Sequence, residues 1–339
     1  MTQLTATEVR IALAKRLRTA RELPISGELL ARELGISRAA VSKHLGALRE
    51  GGFQLDASPR RGYRLLHWPD TLAPEAVIPL LETQALGHPL RFLAACASTN
   101  TLAFTDALEG APHGHTVVAD AQEQGRGRKG RPWHSPPGMG IYVSVVLRPP
   151  LPPQSAPPLT LVTAVAVAET LEQSLGLTPR LKWPNDVLLG GRKVCGILLE
   201  MSAELDRVAF VVCGIGLNVN TESFPDDLVW PATSLRRELG RTVSRPTLLA
   251  ALLANLERWT ERYVSDGFEP ARQAWLSRAA HLGREVRVDG PDGERAGTVE
   301  SLDLDGALLL RDADGMQRRV LAGDVWPNVM PVDEKPGTR

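Results

Sequence analysis

The chain has 339 residues, 43% of them hydrophobic, and its 39 Lys and Arg are balanced by 39 Asp and Glu. That length allows two or three domains with real cores, and the balance excludes a chain that is basic or acidic throughout. Cys96, Cys195 and Cys213 lie far apart without metal-ligand spacing, and no leader-like segment or membrane-length apolar run is seen, so the expectation is a cytoplasmic protein with reduced thiols and no membrane association.

The neutrality conceals an asymmetry. Residues 1–66 hold twelve Lys or Arg against six Asp or Glu, leaving 27 against 33 in the remainder, which points to nucleic acid at one end of the molecule. In this head, apolar periodicity predicts helices in "TEVRIALAKRLRTA" and "SGELLAREL", the second capped by Ser26. The run "LLARELGISRAAVSKHLGALREGG" then has helix-turn-helix spacing: Ala31 is small at the helix contact, Gly35 makes a left-handed turn, Ser37 caps the next helix and Val41 plugs it into the core. Arg38, Ala39, Ser42, Lys43 and His44 face outward on that recognition helix, where a major groove is read. "FQLDASPRRGYRL" alternates as a hairpin with Arg60 and Arg61 at its tip, the wing of a winged helix meeting phosphate. Small protein-docking modules share the spacing, but cations on both recognition helix and wing favour DNA. One such unit buries little base-edge area, so operator binding calls for a dimer.

Past the Pro-containing connector "HWPDTLAPEAVIPLLE", strands and helices alternate. "STNTLAFTDALEG" reads as a capped helix, "GHTVVADAQ" and "GIYVSVVLRP" as strands, and "PLTLVTAVAVAETLEQSLG" as a long buried helix. "PRLKWPNDVLLGGRKVCGILLEMS" reads as strand, turn, hairpin and strand, "DRVAFVVCGIGLNVN" as a buried strand, and 246–268 and 270–280 as helices. Strands precede the long helices, which predicts an α+β fold with a mixed sheet covered on one side. From 283 onward, short strands punctuated by Asp-Gly turns predict a small β-barrel. The expected domains are 1–66, 67–282 and 283–339.

The chemistry concentrates in a few short runs. Gly125-Arg126-Gly127-Arg128-Lys129-Gly130 satisfies G-x-G-x-x-G after a strand, but Pro132, Pro136 and Pro137 forbid the helix a dinucleotide turn requires, and no acid follows at the ribose position. "KWPND" places Asn185 and Asp186 after a strand, Lys193 follows seven residues past Asp186, and "GIGLNVN" offers Gly214, Gly216 and Asn218. Bare glycine N–H groups, the forks of Arg126 and Arg128, the point charge of Lys193 and Asp186 as a Mg2+ partner together suit a nucleotide phosphate. Taken singly, each run has a plainer reading: a solvated Gly/Arg stretch, an Asx turn, an exposed hairpin cation, and a helix cap at Ser98, Thr99 and Asn100.

In this order, "STN", "GRGRKGR", "KWPND", "RKVCGILLE" and "GIGLNVN", downstream of a winged helix, resemble the bacterial biotin protein ligases of the bifunctional type that also repress the biotin operon. The resemblance covers essentially the full chain, including a terminal SH3-like barrel. It implies that the carboxylate of biotin attacks the α-phosphate of ATP with Mg2+ present, and that a lysine of a biotin carboxyl carrier protein then takes biotin from biotinyl-5'-AMP. It also implies site roles. Ser98, Thr99 and Asn100, with backbone around Gly214 and Gly216, line the ureido end of biotin. Gln122 and Arg126, Gly127 and Arg128 belong to a loop that orders over biotin and adenylate, and Lys193 contacts carboxylate and phosphate. Asn185, Asp186 and Asn218 take the nucleotide and Mg2+ side, Asp186 as metal ligand, and Trp230 packs on adenine. The adenylate favours a homodimer along the sheet edge of the central domain, which also receives the carrier, and that dimer binds operator DNA. Two rivals share parts of this pattern: a lipoyl protein ligase, and a winged-helix repressor that senses a ligand without chemistry.

Overall fold

The computed structural model describes residues 4–20, 23–58, 61–291 and 293–327. In the head, helices α1 (Ala6–Ala20), α2 (Gly27–Leu34) and α3 (Arg38–Glu50) close around Leu13, Leu17, Leu30, Val41, Leu45 and Leu48, all at most 1% exposed. Both expected caps form: Ser26 Oγ accepts from the Leu29 N–H and Ser37 Oγ from the Ala40 N–H, each at 3.1 Å, interactions worth about 1 kcal/mol apiece. Gly35, at φ 64°, ends α2 in the left-handed conformation that lets α3 turn away. The wing is the antiparallel pair β1 (Gln54–Ser58) and β2 (Gly62–His67).

The connector is packed. Its helix α4 (Pro74–Val77) sends Ala76 into the head's apolar cluster, and Trp68 Nε1 donates to the Ala76 carbonyl at 3.0 Å. Asp70 accepts from the backbone N–H and Nε of Arg245, a guanidinium 3% exposed that also pairs with Asp120.

The central sheet uses β3 (Leu90–Leu93), β4 (Thr116–Ala119), β5 (Gly140–Leu147), β6 (Arg180–Lys182), β7 (Asp186–Leu189), β8 (Arg192–Ala203) and β9 (Val208–Asn218) in the order β3-β4-β5-β9-β8-β7-β6. Only β3 and β4 are parallel, so the sheet is mixed as expected. One face is covered by α6 (Leu159–Leu175) and, beyond the short α7 (Leu235–Leu239), by α8 (Arg245–Asp266) and α9 (Glu269–Leu276). The expectation of one covered face is too simple. Helix α5 (Thr99–Leu108) buries Ala103 and Ala107 with Val117, Val146, Phe210 and Val212 on the opposite face, and β5 is buried along its whole length. Alternation is lost in such doubly covered strands, which read as continuous apolar runs. α9 stops short of residue 280 because Leu181 takes that segment in an extended bridge, with the Ala280 N–H donating to the Leu181 carbonyl at 2.8 Å. β7 pairs with β8 only over Arg192–Gly196, so the outer backbone edge of β8 beyond Ile197 has no strand partner among the described residues.

The C-terminal region is a five-stranded antiparallel sheet of β10 (Glu285–Gly290), β11 (Gly293–Leu302), β12 (Leu308–Arg311), β13 (Gln317–Val320) and β14 (Asp324–Pro327), ordered β13-β12-β11-β10-β14. Among the described residues no helix is long and apolar enough to cross a membrane.

Candidate active site and nucleic-acid interface

A cavity of about 580 Å3 opens over the β8–β9 end of the central sheet, within the range of ligand sites, roughly 300–1,000 Å3. All five central-domain motifs meet there. At one end the start of α5 forms a buried polar corner: Ser98, Thr99 and Asn100 are each 4% exposed. Gln122 Oε1 accepts from the Thr99 N–H at 2.8 Å, and Ser144 Oγ lies 2.6 Å from Asn100 Oδ1. Asn100 Nδ2 donates to Glu200 at 2.9 Å and to the Leu198 carbonyl at 3.3 Å. Both ends of this amide are thus engaged by protein, as are those of Gln122, whose Nε2 donates to Ser135 Oγ at 3.1 Å, so the two amides shape the corner and line it with Ser98 and Thr99. Glycine at 214 is a packing requirement, since a Cβ there would stand 2.0 Å from Asn100 Oδ1.

Trp133 forms the floor next to this corner. Gly196 and Gly216 are cross-strand partners on β8 and β9, and together they leave a flat slot filled by its indole. A Cβ on Gly216 would lie 2.5 Å from the indole, and one on Gly196 2.9 Å. Lys193 Nζ sits 5.3 Å from the centre of the ring. Trp133 lies two residues past the Gly-Arg run, and nothing in the sequence alone marks it as a pocket residue. The signal was the glycine pair, legible only once β8 and β9 are in register.

The Gly-Arg loop lies folded over the cavity. The Gly127 N–H donates to the Arg131 carbonyl at 2.7 Å, and Lys129 takes φ 57°. Each cation has an acid or carbonyl to meet. Arg126 pairs with Glu200 at 3.1 Å, Arg128 donates to Asn185 Oδ1 and the Gly323 carbonyl at 3.3 Å each, and Lys129 and Arg131 both bond Asp324 of β14. Burial pushes the Arg128 guanidinium below its ordinary pKa. Burial pushes Asp324 up, but the hydrogen bonds from Lys129 and Arg131 outweigh it and hold that carboxyl below the usual range.

At the far end, Lys193 Nζ lies 2.6 Å from Asp186, which also faces Lys182 Nζ at 3.4 Å. Lys182 is 6% exposed; its pKa is lowered chiefly by burial, against the pull of Asp186. Asn185 donates to the Ile197 carbonyl at 2.8 Å and Asn218 to the Thr233 carbonyl at 3.1 Å, so these two side chains pin the cavity wall. Trp230 lines this end, its Nε1 bonded to the Gly191 carbonyl and its ring 4.5 Å from Lys182 Nζ. Asp324 and Trp326 reach the same cavity from the C-terminal sheet. Nothing in the sequence around them announced this, because they join the site only through the docking of β14. Every site residue expected in the central domain therefore reaches one cavity.

On the head, Arg38, Ser42 and Lys43 are exposed on α3, and Arg61 is exposed at the wing turn. Arg60 lies outside the described residues.

Comparison with known proteins agrees with this geometry. Family models match in three places: "HTH domain" over residues 9–64, "Biotin/lipoate A/B protein ligase family" over 93–218 and "Biotin protein ligase C terminal domain" over 281–326. The chain is 40% identical over 303 residues to the bifunctional ligase/repressor BirA of Bacillus spizizenii, covering 89% of this chain and 93% of that protein. It is 33% identical over 304 residues to the Escherichia coli protein of that name, covering 88% and 92%. The crystal structure of the Aquifex aeolicus biotin protein ligase in complex with biotin and ATP superposes with TM-score 0.62 at 30% identity, over 70% of this chain and 97% of that one. With winged helix, ligase cavity and C-terminal sheet matched in order along one polypeptide, the chain belongs to the biotin protein ligase family, among the bifunctional ligase/repressors.

Proposed function

We propose that this protein activates biotin with ATP to biotinyl-5'-AMP, transfers the biotinyl group to a lysine of a biotin carboxyl carrier protein, and represses transcription through its winged helix in response to biotin. The observation that carries the reading is the single cavity in which the polar corner of Ser98, Thr99 and Gln122, the Trp133 slot, the Gly-Arg loop and the Lys193–Asp186 pair converge. In the first step a carboxylate oxygen of biotin attacks the α-phosphorus of ATP and the bond to pyrophosphate breaks. In the second the carrier amine attacks the acyl carbon, AMP leaves, and the amine gives up a proton. No protein nucleophile is needed, so positioning and charge stabilisation dominate.

The residues divide the work by place. The ureido group of biotin fits the short polar side chains at the start of α5, and its apolar ring and chain lie against the Trp133 indole that fills the slot over Gly196 and Gly216. Lys193, at the junction of slot and nucleotide end, holds carboxylate and phosphate together, two anions that repel without it. Arg126 and Arg128 close over them from the loop, and the acids that now neutralise these cations give way to substrate anions. Such a closed loop also shields the mixed anhydride from water. Asn185, Asp186 and Asn218 border the nucleotide, and the adenine stacks on Trp230.

Mg2+ enters with ATP. Asp186, at the end of the cavity where Lys193 stands 2.6 Å away, is the carboxylate that would hold such an ion together with substrate phosphates. Its contribution is neutralisation of phosphate charge.

The same reading assigns 1–66 to DNA binding, 67–282 to catalysis and 283–339 to an SH3-like barrel, in a cytoplasmic setting. Arg38, Ser42 and Lys43 meet the operator, with Arg60 and Arg61 on the wing. The edge of β8 beyond Ile197, without a strand partner among the described residues, is the natural seam for an adenylate-bound homodimer and, in competition, for the carrier, so that carrier supply decides between transfer and repression. That logic requires the adenylate to bind dimer more tightly than monomer. Pyrophosphate release from MgATP tests the chemistry: it is expected with biotin, and release with lipoate alone would overturn the assignment. Sedimentation with and without biotinyl-adenylate tests the dimer, which is expected only with the adenylate.

A further inference from the structure

We infer that Trp326, on the C-terminal sheet, is the second aromatic wall of the purine subsite and selects for a purine base; this rests on the ligase reading above. Strand alternation places Asp324 and Trp326 on the same face of β14, toward the cavity, while Val325 between them is 1% exposed in the core. The Trp326 ring lies 5.7 Å from that of Trp230 at an interplanar angle of 39°. Lys182 Nζ stands 4.5 Å from the Trp230 ring centre and 5.9 Å from that of Trp326, so one buried ammonium orients two indoles that come from distant parts of the chain.

The chemistry of the cavity assigns its parts by elimination. The polar corner and the Trp133 indole suit a urea and an apolar ring, and the loop cations with Lys193 suit phosphate. What remains is the end built from two indoles in contact with each other, whose joint π surface suits a flat, extended heterocycle. Trp326 Nε1 is buried with no hydrogen-bond partner among the described residues. That donor has almost no accessible surface, so it reaches an acceptor such as a purine ring nitrogen only when the indole turns, a turn favoured because a bonded donor is preferred to an orphaned one.

The test uses the full-length protein with Trp326→Leu, which keeps apolar bulk but removes the π face, and Trp326→Phe, which keeps a π face and removes the donor. Wild type must first release pyrophosphate from MgATP and biotin; if it does not, the ligase reading fails, and this inference with it. With active wild type, Trp326→Leu is expected to raise KM for ATP about tenfold, the scale of one lost base–aromatic stack. It should narrow the preference for ATP over CTP by a similar factor and leave the Kd for biotin alone within about twofold. Trp326→Phe should recover most of the ATP preference. If Leu and Phe variants both match wild type in KM for ATP and in the ATP-to-CTP ratio, or if both lose biotin and ATP binding in parallel, Trp326 is a packing residue and the inference falls while the ligase reading stands.

Discussion

Two cationic regions of this molecule use the same residue types in opposite ways. On the head, Arg38, Lys43 and Arg61 are exposed on a helix and a hairpin tip whose geometry is set by local caps and turns. At the cavity and on the loop over it, Arg126, Arg128, Lys129, Arg131, Lys182 and Lys193 are each matched to a carboxylate or carbonyl, the four loop cations to groups brought from distant parts of the chain. Unpaired exposed charges are screened and act over long distances as a sum, whereas charges held in close pairs, and most of all the buried Lys182, act at contact and depend on geometry. One region is therefore expected to tolerate single losses gradually, and the other to fail steeply.

Substitutions can break that contrast. The largest effect is expected at Lys193: Lys193→Ala should lower biotinyl-adenylate formation by at least about a hundredfold, the scale for losing one preorganised charge stabiliser, with the melting temperature little changed. Pyrophosphate release and calorimetry check both halves. Gly216→Ala comes next, because a methyl 2.5 Å from the Trp133 indole must push the slot floor aside; biotin affinity by titration should fall tens of fold, by about 2 kcal/mol. Arg128→Ala removes one charge-assisted contact and should raise KM for ATP about tenfold. Smallest is Arg61→Ala on the wing. It should weaken DNA binding a few-fold at every sequence and reduce the salt slope by about one unit, measured by binding across a salt series. A steep, sequence-selective loss at Arg61, or a mild one at Lys193, would erase the distinction between the regions.

The head was legible in detail for the reason that makes it robust. Ser26, Gly35, Ser37 and Val41 lie within sixteen residues of one another and each acts on its immediate neighbours, so spacing alone predicts caps, turn and plug. The central motifs were legible as chemistry but not as geometry. "KWPND" showed Asn185 and Asp186, but the Asp186–Lys182 pair depends on β6–β7 pairing, and the Asp186–Lys193 pair on β7–β8 pairing with a bulge between Val187 and Leu188. The second covered face of the sheet escaped notice because α5 is short and only weakly patterned, and its partners Val146 and Phe210 are far along the chain.

Residue order and spacing settled which chemistry this protein carries: a helix-turn-helix, a cationic glycine loop and the lysine and aspartate of a nucleotide site. Tertiary packing decided which groups meet. The Asn100–Glu200–Arg126 chain, the Trp133 slot and the arrival of Asp324 and Trp326 from β14 all join residues about 60 to 195 positions apart. Contacts across such separations leave no local periodicity to read, since they are set by how sheets and helices bury their apolar faces and only then bring polar side chains together.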